Sequence, residues 1–145
     1  MPERELVSQI KKAFAATPPP GIEDLDICDN ANDEGIVDYF RGTTWLGHRP
    51  QDLRYHGIAM FLFPDKAYRY WLPAFMLAVL ENPSESDDIV DRFAWIFTST
   101  ERARERHRGF SRDEILAIAA FLDEAVTYRH GDVARKLLEL DDESN

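Results

Sequence analysis

Leu6, Val7, Ile10 and Phe14 fall on one stripe at helical spacing while Lys11 and Lys12 lie on the other side, which predicts an amphipathic helix over residues 3–16. Pro18-Pro19-Pro20 stops it. The triproline and Gly21 enforce an extended path, after which Ile22, Leu25 and Ile27 have a spacing that fits a short strand or coil. Asn32 is placed to cap a second helix whose first turn carries Asp33 and Glu34 at the positive end of the helix dipole. Ile36, Val37 and Phe40 form its apolar side and Gly42 ends it. Pro50 at a first helical position predicts a further short helix through His56, broken at Gly57. Residues 58–63 are a wholly apolar hexad, either a buried strand or a turn of chain inside the fold, and periodicity does not separate the two.

Pro64 restarts a helix with Asp65 in its first turn, but Pro73 has no amide proton and its ring crowds the carbonyl of Arg69. Two helices, 65–71 and 73–81, meeting at a bend are expected. Ser84 or Ser86 begins the next helix, with Asp87 and Asp88 in its first turn and Ile89, Phe93, Ile96 and Phe97 as its core face. Ser111 and Glu114 have the spacing of a capping box, and Ile115, Ile118, Ala119, Leu122 and Val126 continue as the buried stripe of a helix over 112–128. After Gly131, Val133, Leu137 and Leu140 give a last short helix, then a frayed acidic tail over 141–145. The pattern describes one mainly α-helical bundle over residues 1–140 around a proline-bent central helix pair, with one short strand or hairpin left open.

Composition agrees with a packed domain: 145 residues, 44% hydrophobic and 12% aromatic, suffice for one sizeable core. The single Cys28 cannot form an internal disulfide, and the first residues have neither a basic nor an apolar leader segment. The longest apolar run, 71–80, falls short of the roughly 20 residues a bilayer requires. A cytoplasmic protein with no membrane partner is expected. The net charge of −10 disfavours binding to a nucleic-acid backbone. Between residues 13 and 40 there is no Lys or Arg, yet Glu23, Asp24, Asp26, Asp29, Asp33, Glu34 and Asp38 lie there. One basic island opposes this, with Arg102, Arg104, Arg106, Arg108 and Arg112, and it reads as a solvated loop.

The chain carries no catalytic signature. His48, His56, His107 and His130 are scattered without metal-ligand spacing. The pair Asp24 and Asp26 fails as a calcium loop, because Cys28, Asp29 and Gly35 stand where a third oxygen donor, the turn glycine and the bidentate glutamate belong. Cys28 sits among acidic residues that raise its pKa, and the seven glycines never reach a phosphate-binding spacing. No metal or cofactor is expected. Tyr68, Trp71 and Phe75 fill a core in the plainer reading. In the sharper one they form a binding surface with Arg41, Arg54 and Arg69, since Tyr, Trp and Arg dominate interface hot spots.

The order Phe40-Arg41-Gly42-x-x-Trp45, Leu53-x-x-His56, then Phe63-Pro64-x-x-Ala67-Tyr68-Arg69-Tyr70-x-Leu72-Pro73-Ala74-Phe75 resembles a family of small acidic bacterial proteins of unknown function. That resemblance brings no catalytic residue with it. Size and charge alone are also similar to those of immunity proteins that neutralise toxins. The expected function is therefore non-catalytic binding of a cationic protein, in its specific form the neutralisation of a toxin domain. The candidate binding residues are Asp24, Asp26, Asp29, Asp33, Arg41, Tyr68 and Arg69. An enzyme with a pocket near His56, Arg41 and Arg69, and an inhibitor that mimics DNA, stand as the alternatives.

Overall fold

A computed structural model describes residues 3–21, 35–57, 59, 63–98, 108–126 and 133–144 of the chain. Seven α-helices follow one another among these residues: α1 (Glu3–Phe14), α2 (Ile36–Phe40), α3 (Pro50–Tyr55), α4 (Asp65–Glu81), α5 (Asp87–Thr98), α6 (Arg112–Ala125) and α7 (Val133–Ser144). A short 3-10 turn, Pro83–Glu85, joins α4 to α5. No strand occurs among the described residues. The two described residues of the apolar hexad are joined by a helical bond, the Phe63 N–H donating to the Ala59 carbonyl at 2.9 Å. The 22–27 stretch, for which strand or coil was open, lies outside the described residues.

The centre is α4, buried on nearly every side from Ala67 to Leu80. Such a helix gains its stability from packing on all faces rather than from an amphipathic stripe. It touches α1, α3, α5 and α6, while α6 also packs against α1 and α7. Two helices meeting at a bend were expected here, and one helix of 17 residues runs through Pro73 instead. The proline removes one hydrogen bond from a ladder whose neighbouring residues are held from both sides by buried apolar contacts, and that packing outweighs the local rule.

Phe40 on α2 organises the aromatic part of the core. Its ring lies 5.0 Å from Phe63, 5.3 Å from Trp71 and 6.3 Å from Phe75. Gly42 then takes φ 76°, a left-handed turn that a side chain would strain, and sends the chain back over α4. Thr43 pins that turn: its hydroxyl donates to the Phe40 carbonyl at 2.8 Å and accepts from the Trp71 indole N–H at 3.1 Å.

At the other side of α4 the capping box of α6 forms as its sequence predicts, the Ser111 hydroxyl accepting from the Glu114 N–H and the Glu114 carboxylate accepting from the Ser111 N–H at 2.7 Å. The same carboxylate, 1% exposed, also accepts from the Thr17 hydroxyl and from Arg69 Nε at 2.9 Å. One residue thus ties the end of α1, the middle of α4 and the start of α6. The last helix continues to Ser144 where a frayed tail was expected, because Asp141 is buried and paired with Arg112 at the start of α6.

Candidate functional site

A cleft of about 680 Å³ opens between α1, the C-terminal half of α4 and the segment that leads into α3. Val7 and Lys11 stand one turn apart on α1, and Ala74, Leu77, Ala78 and Glu81 recur on one face of α4. Trp45, Leu46, Gly47, His48 and Arg49 form the opposite lip. Trp45 is 7% exposed and contributes to the floor, whereas Leu46 is 51% exposed at the mouth. Gly47 at φ 82° turns the chain so that His48 folds back on the loop.

His48 holds the lip in place. Its Nε2 lies 2.6 Å from the Thr44 carbonyl, which only accepts, so Nε2 carries the proton and donates. Nδ1, 2.7 Å from the Tyr39 hydroxyl, then accepts from that hydroxyl in the neutral ring. Tyr39 is suited to donate, because burial and the Asp52 carboxylate raise its pKa, Arg49 opposing them. On its other side Tyr39 stacks on His56 at 4.4 Å. Burial lowers the His56 pKa, with Asp52 acting the other way. Arg49 is committed to Asp52 by two bonds, of 2.9 and 3.2 Å.

Of the residues singled out from the sequence, Asp24, Asp26, Asp29 and Asp33 lie outside the described residues. So do Arg102, Arg104 and Arg106 of the basic island, while Arg112 pairs with Asp141. Arg41 is exposed on the turn after α2. Tyr68 is in the core, its ring 5.8 Å from that of Phe110, so it takes the plainer of its two roles. Arg69 is 29% exposed and engaged with Glu114. Arg69 and Trp71 project about 200° apart around α4. Arg69 therefore faces α6, while Trp71 faces Phe40 and the neighbourhood of His56. The structure does not bring Arg69 and His56 together.

Of the residues that do converge, the sequence pattern places Val7 in the stripe of α1, Trp45 in the aromatic motif and Pro50 at a helix start, and it marks none of them as part of a site. Lys11 reads as an ordinary polar-face lysine, and Leu46 sits in a loop where no period applies. The one usable signal was punctuation, Gly47 and Pro50 bracketing His48 and Arg49. Among the described residues no group of three or more His, Cys, Asp or Glu side chains is placed to hold a metal ion, and no helix is long and apolar enough to cross a membrane.

Every lining residue of the cleft falls within residues 2–137, the range matched by the family model of DUF6714. The chain belongs to this family, described as a family of unknown function. No curated protein and no solved structure matches it. The family range ends at Leu137, so the Arg112–Asp141 contact that fixes the last helix lies partly beyond it.

Proposed function

We propose that this chain is a non-catalytic binding protein for a cationic protein partner, and that the cleft between α1, α4 and the 45–51 segment is where the partner docks. The observation that carries the reading is His48. Both of its ring nitrogens are engaged, by Tyr39 and by the Thr44 carbonyl, so in this structure the ring braces the lip of the cleft and presents no free nitrogen to it. The apolar side chains Val7, Trp45, Ala74, Leu77 and Ala78 line the cleft, and Leu46 stands exposed at its mouth. An apolar floor with an exposed leucine at its edge suits the docking of an apolar side chain.

The charge of −10 supports a cationic partner through long-range attraction. Neutralisation of a toxin domain in the cytoplasm is the specific form of this reading that size and charge favour. The test is capture of the partner by the immobilised chain from its native host, followed by association kinetics with the purified partner. We expect a basic protein whose association slows as ionic strength rises past about 0.15 M, where the Debye length is about 8 Å. An association rate that ignores salt, or no reproducible capture after cross-linking, overturns the proposal.

A further inference from the structure

Resting on that reading, we infer that the cleft takes a partner segment in which an apolar side chain is followed by Lys or Arg. The apolar group sits on Trp45 and Leu77, and the cation lies against Glu81 at the end of α4. The volume, about 680 Å³, is in the range of sites that enclose small ligands or a few side chains. Its floor is built from Val7, Trp45, Ala74, Leu77 and Ala78, which selects an apolar occupant.

The charges of the lining decide what accompanies it. Arg49 is already neutralised by Asp52. Lys11 lies in the last turn of α1, where a cation complements the negative end of its own helix. Glu81 is the reverse case. It closes a 17-residue helix whose last turn contains no basic residue, so its carboxylate adds to the negative end of the helix dipole. Glu81 makes no ion pair among the described residues, and it faces the cleft. Lys11, which likewise makes no ion pair among the described residues, is offset in part by the half-charge at the end of its helix, whereas Glu81 adds to one, so the balance favours a cation arriving on an apolar anchor at Glu81.

Three acetylated and amidated peptides test this: Gly-Leu-Leu-Arg-Arg-Gly, Gly-Leu-Leu-Glu-Glu-Gly and Gly-Ser-Ser-Arg-Arg-Gly. Each is titrated into the full chain while the indole N–H resonance of Trp45 is followed by NMR. The first should move that resonance and bind most tightly, with the serine peptide weaker by about tenfold or more because the apolar anchor is gone. The preference for the arginine over the glutamate peptide should shrink by roughly two- to fivefold in Glu81→Gln. Tighter binding of the glutamate peptide would assign the cleft to an anion at Lys11 and overturn the inference. So would a preference that survives Glu81→Gln, or an arginine peptide that leaves Trp45 unmoved.

Both Glu81 and Leu46 are exposed, so Glu81→Gln and Leu46→Ser keep the fold and are also used against the captured partner. Capture weakened by both variants supports the cleft. Capture unchanged in both sinks the cleft inference, while the broader binding reading stands with its surface elsewhere.

Discussion

Glu114 shows how much one carboxylate can hold when every donor around it is fixed. It closes the cap of α6, which is local, and it also receives Arg69 and Thr17 from 45 and 97 residues away. Ser111→Ala removes only one capping acceptor and should cost about 1 kcal/mol. Glu114→Leu leaves the Ser111 N–H, the Thr17 hydroxyl and the Arg69 guanidinium without their common acceptor and should cost about 3–5 kcal/mol. Urea midpoints of the two variants check this, and equal losses would reduce Glu114 to a cap. His56 sets a second expectation at this scale. Its folded-state pKa lies below the ordinary histidine value, so the unfolded chain takes the proton more readily. The contribution is fully present above about pH 6.5 and is lost as pH falls from there through the folded-state value. In His56→Gln the decline of the urea midpoint between about pH 7.5 and about pH 5.5 should be shallower than in the parent chain. A parallel decline would place the pH dependence in other groups.

Among the elements, those set by local chemistry were legible: the Ser111 cap, the stripe of α1 and the Pro50 start of α3 are all decided within one or two turns of chain. The break at Pro73 was misread because its outcome is set by packing from helices distant in sequence, which periodicity does not report. The cleft was not legible for the same reason. It is assembled from three segments, and neither Lys11 nor Leu46 departs from what its own segment allows. The second role of Glu114 likewise has no local signal. Pro73→Ala weighs these two influences. Alanine restores an N–H for the Arg69 carbonyl, a gain of about 1 kcal/mol in a backbone that its neighbours keep from relaxing further. Against it stand about two buried ring carbons, near 0.8 kcal/mol each, and about 0.4–1 kcal/mol from a freer unfolded chain. A net loss of about 1 kcal/mol is expected, and a rise in melting temperature would show that α4 is strained at the proline.

At the scale of the whole molecule, charge and cleft ask different things of a partner. On the proposed reading, the seven carboxylates between Glu23 and Asp38, with no Lys or Arg among them, would act at a distance and set how fast a cationic partner arrives. The cleft would act on contact and set how long the partner stays. The two are separable by variants of different kinds. Replacing Asp24, Asp26, Asp29 and Asp33 by asparagine removes four of the ten net negative charges. It should slow association and flatten its salt dependence while dissociation hardly changes. Leu46→Ser should do the opposite, raising the dissociation rate and leaving the salt dependence of association alone. Surface plasmon resonance with the captured partner, run below and above about 0.15 M salt, reads both rates. If the quadruple variant associates at the parent rate with the parent salt dependence, the acidic stretch serves solubility alone. Recognition would then rest on the cleft, with Leu46 at its mouth.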